Sequence, residues 1–166
     1  MRLKAKRLTL IVLVGSFFVL WRENADRDVA SAQGPKPVMV TRIYTGPDGL
    51  SHAEDIELTL NARGVSDMMK ATGVEVSRRP PSTSPGDWHT GPARQFVITL
   101  SGRSEVEVSG GIKVASGPGH INLIEDTTGK GHITRNFGPD DRVVLTIPLA
   151  DGQAVEGVRS ARTADQ

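Results

Sequence analysis

The sequence of 166 residues has no cysteine, no large excess of charge, and no long hydrophobic run after residue 21. The lack of cysteine excludes disulfide bonds and the cysteine-linked lipid anchor of a lipoprotein. Six of the 20 basic and three of the 19 acidic residues lie in residues 1–32, which leaves 14 against 16 in the rest of the chain. Because nucleic-acid binding requires a basic patch or stripe, the sequence predicts no nucleic-acid partner.

The hydrophobic run follows a basic start, MRLKAKR, and extends over 14 residues from 8 to 21. A membrane-spanning helix needs about 20 apolar residues, so this length favours the core of a signal peptide. Small residues at 30–32, with the letters ASA, match the pattern of a cleavage site. We therefore expect residues 1–32 to direct export to the periplasm or out of the cell. The polar spacer at 22–29 is long, so the alternative is an uncleaved signal anchor that contacts the membrane only through this leader.

The 18 glycines and 10 prolines, mostly placed between short apolar runs, indicate many turns and little helix. We expect a linker at residues 33–37, one folded domain at 38–150 and a flexible polar tail at 151–166. Runs with period-two alternation predict β-strands in that domain. The clearest runs read VMVTRIY, EDIELTL, GVEVSRR, QFVITLSG, SEVEVSG, INLIED, HITRN and RVVLTIPLA. The pair Gly102-Arg103, which separates two of these runs, predicts a β-hairpin.

Alternate residues of a strand share a face, which groups the polar residues of these runs by side. Two sets result, Gln95 with Val97 and Thr99, and His132 with Thr134 and Asn136. A polar residue on an otherwise buried face needs a hydrogen-bond partner or a function. His52 and Glu54 are also two residues apart, and they form either a further cavity element or a solvated strand end.

The segments WH at 88–89, RQ at 94–95 and EDTTGKGH at 125–132 resemble those of small single-domain bacterial cupins, members of the RmlC-like jelly-roll superfamily. The spacing of His89, Gln95 and Gly102 matches the first cupin motif, and that of Gly129, His132 and Asn136 matches the second. The resemblance covers roughly residues 38–150. It implies an all-β fold, the cupin-type double-stranded β-helix or jelly-roll barrel, with a cavity inside.

Three positions depart from the cupin pattern. Gly91 replaces the second histidine of the first motif, Gln95 replaces its glutamate, and Thr127 replaces the proline of the second motif. Metal-binding cupins hold one divalent metal with three histidines and that glutamate. The resemblance therefore implies, at most, a weakly held iron, zinc, copper or manganese ion on His89, Gln95 and His132. Without a metal, His89 and His132 would be either neutral hydrogen-bonding groups or a catalytic acid and base, since imidazole titrates near neutral pH.

Four further side chains are candidates to bind substrate. Gln95 would orient the substrate or water, and Asn136 lies on the same predicted face as His132. Asp126 either turns inward beside His132 or serves the glycine turn that follows it. His52 is the fourth. Arg78 and Arg79 either reach an anionic substrate or are solvated, the commoner state of surface arginines.

Two classes of function follow from these residues. The first is an exported enzyme that acts on a small polar molecule in the barrel cavity. The second is a non-catalytic binding module that captures a small ligand in the cell envelope. Cupin folds host many chemistries, so the fold alone does not select a reaction. Cupins also often dimerise through their sheets, and exposed apolar strand faces would allow a homodimer here.

Overall fold

A computed structural model describes residues 35–82, 84 and 86–162 of the chain. The predicted leader at 1–32 lies outside the described residues, together with the first two residues of the predicted linker and residues 163–166. Within the described part, no helix has both the length and the hydrophobicity to cross a membrane. The chain from Pro37 onward forms one compact unit.

Ten β-strands and one turn of 3-10 helix at Ser109–Gly111 make up the regular structure of these residues. The strands are β1 (Met39–Thr45), β2 (Ser51–Leu58), β3 (Glu75–Arg79), β4 (Gln95–Ser101), β5 (Arg103–Glu107), β6 (Lys113–Ser116), β7 (Ile121–Glu125), β8 (Ile133–Phe137), β9 (Arg142–Pro148) and β10 (Gly157–Ala161). Every strand predicted from an alternating run is present. The sparse helix agrees with the many glycines and prolines.

The strands form two sheets. The larger has the order β10-β2-β1-β7-β4-β9-β3, and the smaller has the order β6-β5-β8. His89 and His132 form an isolated antiparallel bridge, and His132 directly precedes β8. The set β3-β9-β4-β7 in one sheet, and His89 followed by β8-β5-β6 in the other, is the strand order of an eight-stranded jelly roll. The predicted all-β, cupin-type jelly roll is thus confirmed, with β1, β2 and β10 extending its larger sheet.

The larger sheet is covered on both faces. Between the sheets, its inward side chains pack against the smaller sheet in a cluster of Ile43, Ala53, Val106, Val108, Val114 and Ile124. On the opposite face, a second cluster contains Val40, Ile56, Phe96, Leu123, Leu149 and Val155. Adjacent residues such as Leu123 and Ile124 belong to different clusters because side chains alternate along a strand. Full burial of an aliphatic side chain contributes roughly 1.5–3 kcal/mol, so both clusters hold the sheet in place.

The predicted hairpin between β4 and β5 is wrong. β4 pairs with β7 and β9, whereas β5 pairs with β6 and β8, so the chain crosses from one sheet to the other at Gly102. Gly102 has φ of 72°, and a Cβ there would lie 2.6 Å from the carbonyl oxygen of Asp141. The glycine is required by this crossing rather than by a hairpin turn.

The structure also differs from the predicted flexible tail. Residues 157–161 form β10, which pairs with β2, and Val155 is buried in the outer cluster. Arg162 donates a hydrogen bond to Asp55 at 2.9 Å. This segment is polar because four of its five residues are exposed, and its backbone hydrogen bonds extend the sheet beyond β2.

Candidate active site

A cavity of about 550 Å³ lies between the inward faces of the two sheets. Its polar lining includes His89, Gln95, Asn122, His132, Asn136 and Arg142. Gln95 and Val97 of β4 face it together, as do the second polar set predicted from the sequence, His132, Thr134 and Asn136. The period-two grouping therefore placed the second set, and Gln95 with Val97 of the first, at the cavity, whereas Thr99 is fully buried and does not line it. A concave site with a few convergent polar groups is the usual form of a small-molecule site.

The predicted histidine pair is brought together by its backbone. His89 N–H donates to the His132 carbonyl at 3.0 Å, and His132 N–H donates to the His89 carbonyl at 2.9 Å. The two ring centroids are 4.6 Å apart. Gly131 makes this approach feasible, because a Cβ at that position would lie 2.1 Å from the His89 carbonyl oxygen. The glycine of the EDTTGKGH segment thus serves the pairing of the two histidines.

Asp126 fixes the His132 ring. Its Oδ2 lies 2.7 Å from Nδ1 of His132, and both residues are buried. A carboxylate accepts hydrogen bonds, so Nδ1 carries a proton and Nε2 is the ring nitrogen that this contact leaves free. Asp126 itself is not among the residues that line the cavity. Asp126 therefore contacts the His132 ring and not the cavity, where the sequence predicted a contact with substrate.

The His89 ring is also oriented by a hydrogen bond at Nδ1, with a different partner. Its Nδ1 lies 2.9 Å from the carbonyl oxygen of Asp87, which can only accept, so the proton again sits on Nδ1. The Nε2 atoms of both histidines are thus left for a ligand. Each ring is oriented by a neighbour in the fold, which reduces the freedom that binding would otherwise remove.

Of the remaining predicted site residues, two line the cavity and one does not. Gln95 and Asn136 line the cavity, and Oδ1 of Asn136 is buried without a hydrogen-bond partner in the described residues. His52 is not part of the cavity. It lies on the outer face of the larger sheet, where Nε2 contacts Asp48 at 3.0 Å and the ring lies near Tyr44. The alternative reading of His52, a surface residue at a strand end, is the correct one.

The donor set does not fit a complete metal site. His89, Gln95 and His132 offer two imidazoles and one neutral amide, and the described residues contain no group of three His, Cys, Asp or Glu side chains suited to a metal ion. Gly91, where cupins have a further histidine, is crowded, since a Cβ there would lie 2.5 Å from Cγ2 of Ile124. An amide oxygen is a weaker ligand than a carboxylate for a transition metal. We therefore assign no catalytic step to a metal.

Arg142 is a cavity residue that the sequence did not reveal. It heads β9, lines the cavity and is only 4% exposed. Its guanidinium donates to Oγ1 of Thr99 at 3.1 Å, and no carboxylate of the described residues forms an ion pair with it. Burial, and secondarily the charge of Arg79, lowers the pKa of Arg142 to about 10, which still leaves it protonated at neutral pH. Arg79 also lines the cavity and is exposed, so both of its predicted alternatives stay open.

No protein-family model matches the chain, and no curated protein is significantly similar to it. Among solved structures, it is similar to an RmlC-like cupin protein from Desulfovibrio desulfuricans, with 11% identity and a TM-score of 0.30. That similarity covers 70% of this chain and 91% of the other. The likeness is weak, so the fold assignment rests on the strand order described above.

Proposed function

We propose that this chain is an exported cupin-type enzyme that catalyses proton transfer on a small polar molecule bound in the barrel cavity. The observation that carries the proposal is the buried pair of Asp126 and His132, which presents Nε2 of His132 to the cavity. A carboxylate that holds an imidazole in one tautomer and stabilises its protonated form is a recurrent catalytic arrangement. The basic start, apolar core and ASA triplet of residues 1–32 support export.

Each of these residues has a distinct role in such a reaction. Nε2 of His132 removes a proton from the substrate, and the Asp126 carboxylate stabilises the imidazolium that results. His89, whose ring lies 4.6 Å away, returns a proton at a second atom when it is itself protonated. Gln95 offers a donor and an acceptor for a substrate oxygen. Isomerisation, epimerisation and dehydration are the reaction classes that such a pair performs.

The test is a screen for turnover in deuterated water. The purified chain is incubated with a pool of bacterial metabolites, and mass spectrometry follows compounds that disappear, appear or gain deuterium at carbon. We expect His132→Gln to abolish the change. Asp126→Asn should lower the rate by about 10²–10⁴-fold and alter the dependence of rate on pH, because the wrong tautomer would be favoured.

A matched control is His52→Gln, which removes a histidine from the outer face of the sheet and should leave turnover intact. A reaction that persists in His132→Gln would contradict the proposal. If a compound binds but undergoes no exchange or conversion, the chain is a binding module of the cell envelope, and the catalytic assignment is wrong.

A further inference from the structure

We infer that the cavity takes an organic anion, with the carboxylate or phosphate group of the ligand bound by Arg142 and Arg79. The inference deepens the proposed enzymatic function by naming its substrate class, and its anion-binding part rests on different residues. Neither arginine belongs to the cupin motifs seen in the sequence. The argument depends on the register of β3 and β9, the burial of Arg142 and the polar groups around it.

The two arginines lie directly opposite each other. In the antiparallel pairing of β3 with β9, Arg79 is the partner of Arg142. Like charges at directly opposite positions of a sheet are destabilising. An anion between the two guanidinium groups would remove this repulsion, because each group donates two parallel hydrogen bonds to carboxylate or phosphate oxygens.

The charge of Arg142 lacks an opposite charge within the part of the chain that the structure describes. Its polar contact is the neutral hydroxyl of Thr99, which accepts from Nη2 and more distantly from Nε. A buried charge is normally paired, because removing it from water is costly. Arg142 can donate five hydrogen bonds, so most of its donors remain available to a ligand.

The cavity wall supplies few competing negative charges. Among its lining residues, Glu75 is the carboxylate, and it is exposed and four residues from Arg79 on β3. Arg78, the neighbour of Arg79, points to the other side of the strand and pairs loosely with Asp141 at 3.9 Å. The outer arginines Arg42 and Arg94 are paired with Glu125. Arg142 differs from them in being both buried and without a carboxylate partner in the described residues.

The separation between Arg142 and Gln95 along β4 gives an estimate of the length of the ligand. The Arg142 guanidinium contacts Thr99, which is four residues from Gln95 on β4. At about 3.3 Å per residue, this separation is roughly 13 Å along the strand. A ligand that contacts both Arg142 and Gln95 would therefore carry its anionic group on the order of 10 Å from the group that Gln95 binds.

The experiment measures anion binding by the purified chain with two probes, inorganic phosphate and acetate, at matched ionic strength in sodium chloride. We expect one or both probes to raise the melting temperature and to bind with a dissociation constant measurable by calorimetry. Arg142→Met should weaken binding at least about tenfold, the loss of one or more charge-assisted hydrogen bonds. Arg79→Met should weaken it less, because Arg79 is exposed. Binding of phosphate alone or of acetate alone identifies which of the two groups the ligand carries.

Arg78→Met is the matched control, since it removes an exposed arginine one residue from Arg79 and should leave binding unchanged. The inference is overturned if neither probe binds the wild-type chain, or if Arg142→Met and Arg79→Met both bind as wild type does. His132→Gln should bind the probes normally while losing turnover. Failure of the anion site and failure of the catalytic proposal are therefore seen in different variants and different measurements.

Discussion

Replacement of Arg142 by methionine removes a buried charge while retaining an unbranched side chain that fills similar space. Burial lowers the pKa of Arg142 to about 10, roughly 2.5 below the ordinary value of arginine. Since one pKa unit corresponds to about 1.36 kcal/mol, holding this charge in the folded state costs at most about 3–4 kcal/mol. The polar groups that line the cavity reduce that cost, and Thr99 loses a donor worth about 1 kcal/mol. We expect Arg142→Met to raise the free energy of unfolding by about 1 kcal/mol.

The sign of the pH dependence follows from the same pKa. The charged form of Arg142 is disfavoured in the folded state, so its cost is fully present below the lowered pKa of about 10 and declines as the pH rises above it. The gain in Arg142→Met should therefore be constant between pH 6 and pH 9, as measured by the urea midpoint at an unchanged m-value.

Arg78→Met provides the baseline, because an exposed and loosely paired arginine should change stability by no more than about 0.5 kcal/mol. A fall of 1 kcal/mol or more in Arg142→Met, with Arg78→Met unchanged, would refute the reasoning. Arg142 would then be a satisfied structural residue rather than an unpaired cation held for a ligand.

Three other predictions concern the fold and the metal question. Gly131→Ala should destabilise the domain by more than about 2 kcal/mol in urea, because its Cβ would meet the His89 carbonyl, whereas Gly110→Ala, which also has positive φ but open space, should cost only about 1 kcal/mol. Ile43→Ala should cost about 2–5 kcal/mol by thermal or urea unfolding, since Ile43 is fully buried between the sheets, and a loss below 1 kcal/mol would contradict that packing. Elemental analysis of the protein purified without chelator should find well below one equivalent of metal. Gln95→Glu should raise zinc affinity at least about tenfold by adding a carboxylate donor. Full metal occupancy in the wild type would contradict the conclusion that the donor set does not form a complete metal site.

Period-two alternation predicted the strands and the inward residues of the candidate site because it reports which side chains share a face. It grouped His132 with Asn136, and Gln95 with Val97, and the structure places all four at the cavity. The cupin-like spacing added the long-range information that alternation lacks. It related His89 to residues more than 40 positions later, and the backbone bridge between His89 and His132 confirms that relation.

Period-two alternation does not indicate which strands are neighbours in a sheet. The Gly102-Arg103 pair satisfies the chemistry of a hairpin turn and of a crossing between sheets equally well, since both need positive φ. The strand β10 was not predicted, for another reason. An edge strand whose residues are mostly exposed contains few apolar side chains, so its pattern resembles that of a frayed tail.

Arg142 was missed because both faces of its strand are covered. Residues of β9 on either side are partly or wholly buried, so alternation cannot tell the cavity face from the outer one. The register of β4 with β9 also shifts between Thr99 and Ser101, beside the point where Arg142 reaches Thr99. Such irregularities redirect side chains near sites, and they have no simple signature in the sequence.

The departures from the cupin pattern, and two arginines that lack a carboxylate partner among the described residues, point to one consistent chemistry. A metal ion at the histidines would supply positive charge at that end of the barrel, where this chain has a glycine and a neutral amide at the two altered positions. Its positive charge lies instead on Arg142 and Arg79, toward the far end of β4 and β9. An anionic group held by these arginines would leave the two histidines beside the rest of the ligand. Imidazole can accept or donate a proton, so the arrangement favours acid and base catalysis on an anchored anion over Lewis-acid chemistry.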